Sequence, residues 1–336
     1  MARRWATEIS SVCDVQSSAC GVPRVPGLKP AAPGPRRAAR SCFLALALGL
    51  GTGAAAAQEL EPRALSPAPT GTTFLLTGFG SSRGAFVVDA AVPIQNVEAE
   101  LSAALAGGGY TFDLAGRQAR VLGVLPYAWG SISGDVNGEQ RSRALNGLVD
   151  PRIKFSVALV GAPALTPEEF AQTPRRTVIG TSLTVMPPVG QYESGRFINL
   201  GSNRWAFKPE IGIWHPRGRW TFDGSAGVWL FTTNDSYFPG TAKREQDPII
   251  AVQGHVSYDF DSGIWIALDG AWFSGGQTHV NNVALSDRKD STRVGATLSL
   301  PMGAQQSVKF TYSTGIATRR GADFDTFVIT WQLVMF

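Results

Sequence analysis

The chain has 336 residues, of which 44% are apolar and 17% charged, with a formal net charge of +4. Those proportions belong to an ordered protein and leave one large or two modest domains open. They exclude little by themselves; where the charge sits excludes more.

Residues 1 to about 35 show no periodicity and read as an over-extended translation start outside the fold. Arg36, Arg37 and Arg40 then precede an apolar run from Phe43 to Leu50 and small residues up to Ala57. A basic start, a short apolar middle and an Ala-x-Ala exit predict a secretory signal peptide cleaved near Ala57. The run is well short of the ~20 residues a spanning helix needs. Removing residues 1–57 takes away seven basic and two acidic residues and leaves 23 basic against 24 acidic. The basic balance belongs to the leader, so nucleic acid is not an expected partner. Cys13, Cys20 and Cys42 fall in the same part, which leaves the exported chain without a disulfide or a thiolate site. Cys42 precedes the apolar run and is misplaced for lipid attachment.

After a flexible segment at 58–71, residues 72–336 show no helical membrane span but a recurring period of two, which the pleat of a strand produces. Strands are predicted near 72–80, 98–113, 116–129, 148–161, 176–187, 203–215, 219–232, 247–260, 263–274, 289–300, 305–316 and 324–336. The second reads partly as helix, and its glycines break the alternation. In "RIKFSVALV", Ile153, Phe155, Val157 and Leu159 alternate with Arg152, Lys154, Ser156 and Ala158. Tight connections such as "HPRGR" and "PMGAQ" alternate with long ones such as "PPVGQYESGRFINLGS". The pattern is that of an all-β, up-and-down antiparallel transmembrane barrel of about twelve strands, with short periplasmic turns and long external loops. One periplasmic connection, 161–175, is long, and Thr166 in it reads as a helix N-cap. Trp129, Trp205, Trp214, Trp220, Trp265, Trp272 and Trp331 near strand ends suggest interfacial girdles. A soluble sandwich would instead bury the apolar face and leave the charged one in water.

If the apolar face meets lipid, Arg152, Lys154, Lys208, Glu210, Asp223, His255, Asp259, Asp269, Arg293 and Lys309 point into the lumen. They either line a permeation path and set its selectivity, or pair with one another and fill a narrow lumen. The stretch "INLGSNRWAFKPEIGIW" adds Asn199, Asn203, Arg204 and Trp205. Amides, a guanidinium and an indole there could hold an aromatic or carboxylated solute, or tie the loop to itself. Catalysis has little to stand on: His215, His255 and His279 are scattered, and no nucleophile or phosphate-binding motif occurs. A lipase-like His and Ser pair would need His255 and Ser225, which both fall on the inner face. No catalytic residue, metal or cofactor is expected.

The segments "INLGSNRWAFKPEIGIW", "REQDPI", "GHVSYDF" and "STGIATRRGADFDTF" resemble outer-membrane proteins grouped as the MetA-pathway of phenol degradation family, over roughly residues 70–336. The resemblance implies a bacterial outer-membrane barrel that takes up small hydrophobic or aromatic compounds. It supplies no catalytic residues. Asn199, Gly201, Asn203, Arg204, Trp205, Phe207, Lys208, Pro209 and Glu210 are the motif positions it offers as lumen or loop candidates. The expected partners are outer-membrane lipid, such solutes, and the barrel-assembly machinery, which reads a C-terminal strand ending in an aromatic residue. Phe336 is out of phase with the more apolar set Phe327, Ile329, Trp331 and Leu333, which predicts a bulge near the end or a ring at the periplasmic rim.

Overall fold

The computed structural model describes residues 60–87, 94–136, 139–318 and 321–336. The predicted leader and its cleavage point lie outside them. The strands are β1 (Thr73–Val87), β2 (Ile94–Leu114), β3 (Arg117–Val136), β4 (Glu139–Leu148), β5 (Arg152–Val160), β6 (Val178–Met186), β7 (Ala206–Arg217) and β8 (Trp220–Phe231). They continue as β9 (Asn234–Tyr237), β10 (Ala242–Gln246), β11 (Ile249–Asp259), β12 (Trp265–Gly275), β13 (Thr278–Val280), β14 (Val283–Ala284), β15 (Lys289–Pro301), β16 (Gln306–Thr318) and β17 (Gly321–Met335).

Antiparallel pairing runs round a closed circuit, because β1 pairs with β17 on one side and with β2 on the other. β4 and β5 are two halves of one stave: both pair with β3, through Tyr127 opposite Leu148 and Val124 opposite Arg152. The result is a closed barrel of twelve strands, in which β4 extends beyond the circuit and pairs only with β3. The uncertain second strand is a strand throughout, since pairing with β1 and β3 on both sides overrides its local helical propensity.

The alternation sorts the side chains as expected. Ile153, Phe155, Ile250, Val252, Val256 and Leu298 are exposed on the outside, while Lys208, Glu210, His255, Asp269 and Arg293 are buried. An exposed apolar face around a closed barrel is a surface built for lipid. Trp129, Trp205, Trp220 and Trp272 lie on it. Trp214 does not: it is buried, with Arg175 over its ring, and Trp265 lies beneath Arg63. Both were expected in a girdle, but each occupies an inward position where an indole fills space that a shorter side chain would leave.

The long periplasmic connection carries the short helix α1 (Pro167–Gln172), and Thr166 is its N-cap in a full capping box with Glu169. At the opposite end, β9, β10, β13 and β14 form a separate four-stranded sheet from segments expected to be loops. The terminal bulge does not occur. Register between β1 and β17 is unbroken from Thr73 opposite Met335 to Val87 opposite Gly321. Phe336 lies past the strand end and is 65% exposed, at the rim where β1 starts.

Candidate functional site

The inside of the barrel is built around residues 60–72: the flexible lead-in expected at 58–71 is, from residue 60 onward, packed against the inner wall. At the short-turn end, Thr72 and Thr111 are fully buried, and both hydroxyls donate to the Pro69 carbonyl. Gly71, at φ +83°, turns the chain back from β1 into the lumen, a conformation glycine adopts at no steric cost. Farther in, the Ala68 N–H donates to Gln118 and the Arg120 guanidinium to the Ser66 carbonyl. Leu65 then rests on Gly180 and Gly212. A Cβ at either would stand 3.0 Å or 2.9 Å from a Leu65 methyl, so these inward glycines make the space the plug occupies.

Charge completes the fit. The Arg63 N–H donates to Asp223 at 3.0 Å, and its guanidinium donates to Ser257 at 3.0 Å and Asp259 at 2.6 Å. Glu61 is 2.5 Å from Lys154 and 3.6 Å from Arg152, while Glu210 is 3.3 Å from Lys154 and 2.9 Å from Lys208. Burial alone would raise the Glu61 carboxyl; Lys154, Lys208 and Arg152 together hold it below the usual carboxylate range. His255 Nδ1 lies 2.7 Å from Asp269, whose second oxygen accepts from Thr297. Ser225 and His255 line the same gap beside the plug, with room of about 20 Å³, the volume of one water.

Near the long-loop end the lumen changes character. The segment 187–204 folds inward and is tied by Asp150, which accepts from the Gly190 N–H and from the N–H and hydroxyl of Ser202. Asn234 donates to Tyr192 and accepts from Asn203. Arg204 leaves this loop buried, 4.4 Å over the Phe231 ring, with Nη2 donating to Gln246. Burial first, and Arg244 next, pull its guanidinium well below the ordinary arginine range, against Tyr237 and Asp150.

The family model described as "Putative MetA-pathway of phenol degradation" matches residues 78–331. The chain belongs to that family. Among solved structures, an outer membrane channel from Pseudomonas putida F1 is similar at 18% identity and a TM-score of 0.69, over 82% of this chain and 100% of that one. The beta domain of the Bordetella autotransporter BrkA matches at 12% identity and a TM-score of 0.49, over 79% and 100%. The transport unit of the autotransporter AIDA-I from Escherichia coli matches at 9% and 0.49, over 85% and 96%. The likeness to the Pseudomonas channel speaks to the fold. No curated protein gives a significant match.

In this member of the phenol degradation family, the candidates Arg152, Lys154, Lys208, Glu210 and Asp223 meet the plug or one another. His255 and Asp269 pair beside them. Arg293 is buried farther along, donating to Ser313 and to the Phe324 carbonyl, and Lys309 lies 5.9 Å from the Trp265 ring. The "INLGSNRWAF" stretch divides. Asn199 ties its own loop, bonding Glu193 and Arg196, whereas Arg204 enters the lumen. Trp205 does not line the lumen: it is exposed on the outer wall with its ring stacked along Phe207, because strand parity sends neighbours to opposite faces. Sequence reasoning missed Glu61, Arg63 and Leu65. Their signal was the inward glycines, gaps in the wall that a partner had to fill.

Proposed function

We propose that this chain is a bacterial outer-membrane channel for passive uptake of small hydrophobic or aromatic compounds. It would be exported by its N-terminal leader and inserted by the barrel-assembly machinery through the strand ending at Phe336. Family membership supports the uptake reading. The observation that carries the mechanism is the nature of the plug: residues 60–72 fill the lumen by side-chain ion pairs and hydrogen bonds. Contacts of that kind can be exchanged for water or solute without breaking the barrel. Passage then follows displacement of the segment, with Gly71 as its pivot.

The same packing favours a second reading, a permanently closed barrel with a structural or surface role. Two measurements separate them. Planar-bilayer recordings on refolded protein should show brief openings over a closed baseline. A deletion strain should take up phenol and toluene more slowly than its parent, with restoration by the wild-type chain. Absence of openings together with unchanged uptake would sink the channel reading and leave the closed one.

A further inference from the structure

We propose that the long-loop end of the lumen holds an anion-binding site for the carboxylate of an aromatic acid, built from Arg204, Arg244 and Lys289.

Arg204 is 7% exposed, and its Nε and Nη1 are buried without a hydrogen-bond partner. Among the described residues it is the one guanidinium with two such nitrogens. Lys289, the first residue of β15, is 6% exposed, and its side chain makes no hydrogen bond or ion pair among the described residues. Arg244, on β10, is equally buried, 5.4 Å from the Tyr237 ring. Gln246 joins the three positions: two residues from Arg244 on β10, it accepts from Arg204 and donates to the Gly276 carbonyl, next to Gly275, which pairs with Lys289. Arg244 and Arg204 both repel the charge on Lys289.

Two carboxylates share this field. Asp287 attracts Lys289 and Arg204 while accepting from the Thr278 N–H at 2.7 Å. Asp150 is already engaged by Gly190 and Ser202. Withdrawing a cation from water costs several kcal/mol unless an anion and hydrogen bonds replace the hydration. Arg204 and Lys289, with donors left open beside the third positive charge of Arg244, therefore define a place where an added anion is favoured. A carboxylate supplies the acceptors that the open nitrogens and the ammonium lack.

The surroundings select what the carboxylate is attached to. Phe231, under Arg204, is stacked with Trp229 at 6.5 Å and 11°, and Phe197 packs edge-on to Phe238 at 5.9 Å. An aromatic acid meets both requirements, since its head compensates the cations and its ring enters an aromatic wall. The site rests on the uptake reading for its purpose, as the point where solute is taken from outside, but not for its existence.

Equilibrium binding separates the two. Isothermal titration of the full barrel in detergent with benzoate, and with benzyl alcohol as its neutral analogue, should show benzoate binding at least tenfold tighter. Arg204→Gln and Lys289→Gln should each weaken benzoate about tenfold and leave benzyl alcohol unchanged, with folding checked by the gel shift of the unheated barrel. If Arg204→Gln does not fold, Lys289→Gln carries the test. Equal binding of the two ligands, benzoate binding that neither variant alters, or equal displacement by inorganic phosphate of every ring-bearing acid would overturn the proposal. Benzoate binding without uptake of any aromatic compound would uphold the site and defeat the transport reading.

Discussion

The middle of the lumen and its external mouth use the same residue types to opposite ends. In the middle, Arg152, Lys154 and Lys208 each lie within 4.0 Å of Glu61 or Glu210, and the chain's own N-terminal segment supplies one of those carboxylates. At the mouth, Arg204 and Lys289 share a field with Arg244 in which Asp287 is the carboxylate they have in common. One cluster is neutralised from within the molecule; in the other, Arg204 and Lys289 keep donors open to an anion from outside. The difference distinguishes a lock from a receptor, and it can be broken at either end.

The largest effect should come from removing the lock. Without residues 58–71 the wall keeps Lys154, Lys208 and Arg152 but loses Glu61, Arg63 and Leu65, and water enters where they stood. We expect conductance to rise by roughly an order of magnitude, with a shift towards anion selectivity as uncompensated cations line the path. Benzoate binding at the mouth should survive the truncation, since among the described residues the plug's hydrogen bonds and ion pairs run to groups such as Gln118, Lys154, Asp223 and Asp259 and to neither Arg204 nor Lys289. A truncated barrel that stays closed would show that something other than the plug fills the lumen.

A single charge should produce a smaller version of the same result. Glu61→Gln leaves the buried Lys208 and the half-buried Lys154 and Arg152 facing one carboxylate, and breaking a buried pair from one side costs on the order of 3 kcal/mol. Converted at 1.4 kcal/mol per decade, the displaced state should become roughly a hundred times more populated. The pH dependence follows from the same group. The folded Glu61 carboxyl sits below its unfolded value near ~4.3, so its stabilisation is complete above that pH and lost as pH falls through the folded value. Open probability in the wild type should be flat from neutral pH to about 4 and rise below it. In Glu61→Gln it should be high throughout and lack that acid limb; an unchanged acid limb would assign the lock to another carboxylate.

The barrel was legible because its signal is local. Ile153, Phe155 and Leu159 on one face of β5 and Lys154 on the other need only the pleat to be sorted, and each further strand repeats the statement. The plug was not legible, since "ELEPRALSPAPT" has neither period two nor period 3.6 and takes its shape from partners such as Gln253, distant by 192 positions. The small outer sheet was missed for a related reason: β13 and β14 span three and two residues, too few for alternation to register. Trp214 and Trp265 misled in the other direction. Proximity to a strand end suggested the interface, whereas parity, available from Ile213 and Ile266 beside them, places both indoors.

The finest test of the comparison uses two adjacent residues. Arg204 and Trp205 come from one motif and were equally plausible as solute contacts, yet one faces the lumen and the other faces lipid. Trp205→Ala removes a ring stacked 6.1 Å from Phe207, worth about 1 kcal/mol beyond the area it covers. Its backbone N–H donates to the Thr232 hydroxyl and is unaffected by the substitution. The variant should unfold at slightly lower urea in lipid vesicles while binding benzoate within about twofold of wild type, because side chains that alternate across the wall do not share a site. A tenfold loss of benzoate binding in Trp205→Ala would mean that the two faces communicate at this position. The anion site would then extend through the wall instead of ending at Arg204.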